Sequence, residues 1–134
     1  MPVVKQLSIF LANRPGALAR ISESLAEKGI NIKAMTVSDT VDHAVVRLVL
    51  SDPDRGQEVL EDGNLLVVDN PVVEVPLDSR PGILARLAGK LSAAGLNIEY
   101  LYGSTAESGQ GTLYLRVQDP EAAEKVIKNS AKKR

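Results

Sequence analysis

The sequence predicts an α+β fold made of two ferredoxin-like modules, each with the element order β-α-β-β-α-β. The tripeptide Arg-Pro-Gly occurs twice, and residues 11–35 align without gaps with residues 77–101. Short alternating apolar runs, typical of strands, are followed in both copies by stretches of helical periodicity. A tandem duplication of one small module explains both observations. We therefore expect module 1 at residues 1–70 and module 2 at residues 71–134.

A strand and a helix open each copy. Apolar residues alternate in residues 7–11 and again in residues 73–77, which predicts a strand with one buried face. Three apolar residues then recur at helical spacing in each copy, at Leu18, Ile21 and Leu25 and at Leu84, Leu87 and Leu91. This spacing predicts an amphipathic helix. Gly29 and Gly95 follow, and a glycine at this place typically ends a helix in the left-handed conformation.

The second half of each copy has its own pattern. We expect second and third strands at residues 31–40 and 44–50 in the first copy and at 97–106 and 112–117 in the second. Asp52-Pro53 and Asp119-Pro120 then each place a capping carboxylate before a proline at the first helical position, which predicts a second helix. Residues 65–69 predict the fourth strand of module 1.

Module 2 is predicted to lack its fourth strand, because residues 130–134 are too few and too polar to form one. Its sheet would then have three strands of its own or be completed by a partner. The edge strand at residues 72–77 favours a homodimer. We interpret Asn70-Pro71 as a short hinge. Helices should cover one face of each antiparallel sheet, and we expect the second strands of the two modules to pair.

The repeated Arg-Pro-Gly segment is the candidate binding element. A proline at a helix start removes no needed donor, and a glycine lets another group approach the backbone closely. The unpaired N–H groups and the positive end of the helix dipole then form a small anion site that suits a carboxylate or a phosphate. The alternative is that the segment only starts the helix.

Composition excludes several functions. The net charge is −1 and aromatic residues make up 3% of the chain, which argues against nucleic acid as a partner. No apolar run is long enough to span a membrane, and the start of the chain is not typical of a signal peptide, so we expect a cytoplasmic protein. There is no cysteine and one histidine, and we find no nucleophile–base pair, metal-ligand cluster or phosphate-binding motif. No catalytic residue, metal or cofactor is therefore predicted, and the chain is not expected to be an enzyme.

The order strand, Asn-Arg-Pro-Gly-x-Leu, amphipathic helix and Gly-x-Asn-Ile resembles the ACT domains. The resemblance covers both copies, and the chain looks most like the stand-alone tandem ACT proteins of bacteria. It implies small β-α-β-β-α-β modules that bind amino acids and regulate metabolic enzymes.

The resemblance also implies a binding site. In the serine-sensing ACT domain of phosphoglycerate dehydrogenase, the effector lies between two modules that pair side by side. It is held by the loop after the first strand and by an asparagine that opens the second. The matching positions are Leu11, Asn13, Arg14, Pro15, Gly16, Ala17, Asn31 and Ile32 in module 1, and Leu77, Ser79, Arg80, Pro81, Gly82, Ile83, Asn97 and Ile98 in module 2. Leu11 and Leu77 stand where that family has a histidine, which argues against serine as the ligand.

Two hypotheses follow. The first is a sensor that binds a free amino acid between its modules or between protomers and passes the change to a metabolic enzyme. The second is a ligand-free interaction adaptor that regulates such an enzyme. Asn31 and Asn97 either contact the ligand or only stabilise the helix-to-strand turn. Tyr100 and Tyr102 either line a pocket or form a packing pair on the sheet.

Overall fold

The computed structural model describes residues 3–12, 14–39, 43–78, 80–105 and 109–131. Within these residues the chain forms six strands and four helices, in the order β1 (Val3–Ala12), α1 (Ala17–Glu27), β2 (Ile32–Asp39), β3 (His43–Leu50), α2 (Pro53–Asp62), β4 (Val67–Asp78), α3 (Ile83–Ala93), β5 (Ile98–Thr105), β6 (Gln110–Val117) and α4 (Pro120–Ala131). The predicted α+β class is confirmed.

The chain folds into two compact units. The first unit is Lys5–Asn70, and the second consists of the described residues of Met1–Val4 and Pro71–Arg134. The first residues of strand β1, Val3 and Val4, therefore belong to the second unit. Strand β4 begins in the first unit and continues in the second.

The first unit is an antiparallel sheet in the order β2-β3-β1-β4, with α1 and α2 packed on one face. The side chains of this face alternate along β1 and β3 as the sequence predicts. Its buried core is formed by Leu7, Ile9, Leu11, Ile21, Leu25, Ile30, Val46, Leu48, Leu50, Leu60 and Val67. On the opposite face of β1, Gln6 is fully buried and Ser8 is 8% exposed, so this strand is buried on both faces.

The second unit contains the strands β4-β6-β5, with α3 and α4 supplying the helical side of its core. Its buried residues are Val73, Val75, Leu91, Leu113, Leu115, Val117, Ala123 and Ile127. Up to Ala131, where the described residues end, no strand follows α4. The prediction that this module lacks a fourth strand of its own is confirmed.

Three expectations about the strands are wrong. Residues 72–77 do not belong to an edge strand, because β4 stands between β1 and β6 in the strand order. Asn70 and Pro71 are not a hinge, because both lie inside the continuous strand β4. The fixed φ angle of proline is compatible with extended backbone, so Pro71 does not interrupt the strand. The second strands do not pair with each other either. Strand β2 pairs with β3, and β5 pairs with β6. Strands β2 and β5 are the two outer strands of the strand order.

The helix boundaries follow local chemistry. The Asp52 carboxylate accepts a hydrogen bond from the Arg55 N–H at 3.2 Å, and Asp119 caps α4 through the Ala122 N–H at 3.1 Å, as predicted. Gly29 has a φ of +71°, which places the residue after α1 in the expected left-handed region. Among the described residues, no helix has the length and apolar character that crossing a membrane requires.

Candidate functional site

The first Arg-Pro-Gly segment forms a type II β-turn that leads into α1. The Ala17 N–H donates to the Arg14 carbonyl at 3.4 Å, and Gly16 has φ +88° and ψ −13°. A type II turn favours proline at its second position and needs a positive φ at its third, which glycine adopts without steric cost. Pro15 and Gly16 are therefore the residues that this turn requires.

The second segment adopts the same turn before α3. The Ile83 N–H donates to the Arg80 carbonyl at 3.3 Å, and Gly82 has φ +90° and ψ −7°. In both units the helix begins one residue after the glycine. The expectation that the proline is the first helical residue is therefore wrong, because Pro81, like its counterpart in the first unit, belongs to the turn.

The start of α1 presents N–H groups without an intrahelical partner. The Gly16 carbonyl accepts the first helical bond from the Arg20 N–H at 3.0 Å, and no side chain of the described residues caps the helix. Because the turn already uses the Ala17 N–H, the donors left in the first turn are those of Leu18 and Ala19. Of the donors expected from the sequence, the Ala17 N–H is used by the turn, whereas the Gly16 N–H has no backbone acceptor among the described residues and stays a predicted donor.

The space in front of both turns is open. A Cβ built on Gly16 or on Gly82 would meet no atom within 4 Å. Arg14 and Arg80 are exposed next to them. The protein's own described side chains therefore do not occupy the Cβ position of either glycine. Asn13 and Ser79, the polar residues that precede these turns in the predicted site, lie outside the described residues.

Asn31 and Ile32 lie at the other end of the first unit's sheet from the turn. Leu11, which precedes the turn, pairs with Ala44 of β3, whereas Ile32 pairs with Leu50 of the same strand. Ala44 and Leu50 are six residues apart, which corresponds to about 20 Å at the rise of an antiparallel strand. One unit therefore does not bring the two halves of its predicted site together.

The second unit has the same separation. Leu77 pairs with Gly111 and Ile98 pairs with Val117, again six residues apart on one strand. Asn97, which precedes Ile98, is exposed. The asparagine positions of both units thus lie far from the turns of the same unit.

The Asn31 backbone bonds to Ser51, the residue that follows β3. Its N–H donates to the Ser51 hydroxyl at 2.9 Å, and its carbonyl accepts from the Ser51 N–H at 2.9 Å. Both bonds use the Asn31 main chain, and the residue is exposed. These bonds join the start of β2 to the end of β3 through the Asn31 main chain.

A cavity of about 270 Å³ adjoins the first turn on the helix side of the sheet. It lies between the end of β1, one side of α1 and the C-terminal end of α2. Three predicted residues, Leu11, Arg14 and Ala17, line it, together with Arg20 and Ser24. The last two were not predicted from the sequence. The signal was present, because residues 17, 20, 21 and 24 have the spacing of one helix face.

The tyrosines of the second unit form a packed row on the sheet. The rings of Tyr100 and Tyr102 are stacked with centroids 6.5 Å apart, and those of Tyr102 and Tyr114 are 5.5 Å apart. Burial, with a hydrogen bond to Glu74 as a second cause, raises the pKa of Tyr114 to about 12. These contacts support the interpretation of Tyr100 and Tyr102 as a packing pair.

Among the described side chains, no group of three His, Cys, Asp or Glu residues could hold a metal ion. Two ferredoxin-like units, each with an open glycine turn at the start of its first helix, define the class of protein. The family described as "ACT domain pair" matches residues 2–133. The chain therefore belongs to this family, and the resemblance found in the sequence is confirmed.

Solved structures agree with this assignment. Protein BT0572 from Bacteroides thetaiotaomicron is 35% identical, with a TM-score of 0.90 over 96% of this chain and 89% of that chain. The ligand-free regulatory subunit of aspartate kinase from Thermus thermophilus is 19% identical, with a TM-score of 0.70 over 96% and 97% of the two chains. The corresponding subunit from Thermus flavus is 20% identical, with a TM-score of 0.65 over 93% and 90%. The two aspartate kinase subunits show the shared fold. No curated protein matches the chain significantly.

Proposed function

We propose that this protein is a regulatory sensor that binds a free amino acid at its Arg-Pro-Gly turns and transmits the resulting change to a metabolic enzyme. The observation that carries the proposal is that both turns have the same open geometry. Each holds a glycine with φ near +90° and leaves the space in front of it unfilled by the described residues. Membership of the ACT domain pair family supports an amino acid as the ligand.

The start of α1 suits the carboxylate of an amino acid. The N–H groups of Leu18 and Ala19 lack helical acceptors, and the positive end of the helix dipole adds to their attraction for an anion. The exposed Arg14 is a cation on the same turn. The ammonium group needs an oxygen acceptor, which the side-chain amide of Asn31 or Asn97 can supply.

A complete site needs residues from more than one unit. Within a unit, about 20 Å separates the turn from Asn31, which is too far for one amino acid to reach both. We propose that a second copy of the chain supplies the asparagine end. Strand β2, which begins beside Asn31, is an outer strand, and its Met35 and Val37 are 37% and 50% exposed. An edge of this kind favours pairing with another chain.

Isothermal titration with the twenty standard amino acids tests the proposal on the wild type and on Gly16→Asn and Gly82→Asn, singly and together. Asparagine tolerates the left-handed region, so the turn should persist while its side chain occupies the open space. We expect at least one amino acid to bind the wild type and to bind the double variant at least tenfold more weakly.

Gly109→Asn is the matched control, because Gly109 also has a positive φ of +92°, a Cβ added to it would meet no atom within 4 Å, and it lies on a different turn. Absence of binding by all twenty amino acids would overturn the proposal. Equal affinities in the wild type and the double variant would do the same. A partner enzyme that binds regardless of amino acids would favour the ligand-free adaptor.

A further inference from the structure

We infer that the first unit holds a separate site for a small organic acid with an apolar chain, in the cavity between α1 and the C-terminal end of α2. The cavity measures about 270 Å³, close to the lower end of the range for small-molecule sites. All of its lining residues belong to the first unit. The inference goes beyond the proposed amino-acid site, since it adds residues of α1 and α2 to the shared Arg14 and takes another ligand class.

The charged lining of the cavity is entirely positive. Arg14 and Arg20 line it, and no aspartate or glutamate is among the described residues that do so. Within the described part of the chain, neither guanidinium has an ion pair or a side-chain hydrogen bond. Two arginines without a carboxylate partner favour an anionic ligand, and the planar guanidinium group matches the geometry of a carboxylate.

The cavity offers little to an ammonium group. Among its lining residues, the Leu60 carbonyl already accepts two backbone N–H bonds, from Gly63 and Leu65 at 3.1 and 3.3 Å, and the Ala12 carbonyl accepts one, from Arg14 at 2.9 Å. The Ser24 hydroxyl donates to the Arg20 carbonyl at 3.0 Å, which leaves its oxygen only a neutral acceptor, and no carboxylate among the described lining residues offsets the charge of the two arginines. A carboxylic acid without an amine therefore suits the lining better than the zwitterion of an amino acid.

The remaining walls are apolar. Leu11, Ile21 and Leu60 are buried in the core beneath the cavity, and Val59 and Leu65 are half-buried beside it. These side chains suit a branched or linear hydrocarbon chain. With the carboxylate at the arginines, the chain of the ligand would lie toward the end of α2.

The second unit lacks the same cavity lining at two aligned positions. Ile83 stands where the first unit has Ala17, and Lys90 stands where it has Ser24. Because isoleucine and lysine are larger than alanine and serine, we expect less room at the equivalent place in the second unit. Arg86 aligns with Arg20, so the second unit keeps the arginine but not the small residues of the cavity lining. One organic acid should therefore bind per chain.

The experiment uses 4-methylpentanoate as the probe, with 4-methylpentan-1-ol and leucine as analogues of the same carbon skeleton. Isothermal titration and NMR chemical shifts are measured on the full chain and on Arg20→Gln, Arg86→Gln and Ala17→Ile. We expect the acid to bind the wild type at least tenfold more tightly than the alcohol does, because the alcohol has no charge for the arginines. Leucine should bind this site at least tenfold more weakly than the acid.

Arg20→Gln should weaken binding of the acid by about tenfold through loss of one charge-assisted hydrogen bond. Arg86→Gln should leave it unchanged. Ala17→Ile, which copies the second unit, should abolish it. Arg20 is exposed, so its substitution leaves the fold intact even if the packing change at residue 17 does not.

Equal affinity for acid and alcohol, or equal effects of Arg20→Gln and Arg86→Gln, would overturn the inference. So would a failure of the acid to bind the wild type. The outcome is separable from that of the proposed function. Amino-acid binding that depends on Gly16 but not on Arg20 would retain the sensor and remove the organic-acid site. Acid binding with no amino-acid binding would do the reverse.

Discussion

The two units have the same backbone geometry, and the repeated sequence motif accounts for it in both. Both first helices start after a glycine with φ near +90°, and both close with the same bond, from Ile30 to the Leu25 carbonyl at 3.0 Å and from Leu96 to the Leu91 carbonyl at 2.9 Å. Both outer strands also carry a register shift at the same aligned position, around residue 33 in β2 and residue 99 in β5. What the duplication has kept is therefore the path of the main chain.

The side chains around that path differ. The cross-strand pair Ser8 and Arg47 in the first unit corresponds to Glu74 and Tyr114 in the second. The second unit adds a stack of tyrosines, and a cavity lies beside the turn of the first. Two identical turns therefore do not make two equivalent sites, because the surroundings of each turn decide what can bind there.

The largest expected effect tests the shared part of the design. Leu25 and Leu91 are aligned in the repeat, and both are fully buried in their own cores. Leu25→Ala and Leu91→Ala should each lower the free energy of unfolding by about 2–5 kcal/mol, because each removes buried methyl groups and leaves a cavity. Urea unfolding measures both. Losses that differ by more than about twofold between the two variants would break the equivalence of the cores.

A smaller effect is expected where the outer strands differ. Gly103 of β5 aligns with Val37 of β2. A Cβ on Gly103 would overlap the Thr112 carbonyl oxygen and lie 2.9 Å from the Leu113 Cα, so β6 would have to move. Gly103→Ala should therefore destabilise the protein by about 1–3 kcal/mol.

Val37→Ala is the matched control for this strand position. Val37 is 50% exposed, so its truncation should change the free energy of unfolding by at most about 0.5 kcal/mol. The same urea titration compares the two variants. A Gly103→Ala variant as stable as Val37→Ala would show that β5 has the same room as β2, and this difference between the units would then disappear.

Much of the fold could be predicted because its causes are local. The Asp-Pro pairs cap their helices as expected, and the apolar alternation of β1 and β3 places the predicted side chains in the core. The continuity of β4 through Asn70-Pro71 was missed, because proline is permitted in extended backbone and the sequence alone does not distinguish a hinge from such a strand. Leu18 shows another limit. It has helical spacing but is 40% exposed, since it lies in the first turn of α1.

The candidate site could be predicted only in part for a related reason. The turn glycines follow from local backbone geometry, and the open space at Gly16 agrees with the prediction that another group approaches there. Arg20 and Ser24 were missed because they contribute through the packing of α1 beside α2, which the repeat pattern does not specify. The 20 Å between the turn and Asn31 depends on strand register, which resemblance to a motif does not reveal.

The smallest expected effect concerns the cross-strand pair Glu74 and Tyr114, which distinguishes the sheet of the second unit from that of the first. Tyr114 is 5% exposed, and burial together with its hydrogen bond to Glu74 raises its pKa to about 12, above the usual value of 10. The folded state thus favours the neutral phenol. The stability that this provides is complete below pH 10 and is lost as the pH rises from 10 to about 12.

Tyr114→Phe removes the hydroxyl and should lower the free energy of unfolding by about 0.5–1.5 kcal/mol at pH 8, the ordinary net range for a hydrogen bond, because Glu74 is half-buried and water competes for its carboxylate. The difference in the free energy of unfolding from the wild type should shrink as the pH approaches 12, because the wild type then loses the hydrogen bond that the variant lacks. Urea unfolding at pH 8, 10, 11 and 12 measures it, with Tyr100→Phe as a control for removing a hydroxyl from the same stack. A difference that stays constant up to pH 12 would contradict the raised pKa of Tyr114 and the contribution of its hydrogen bond to Glu74.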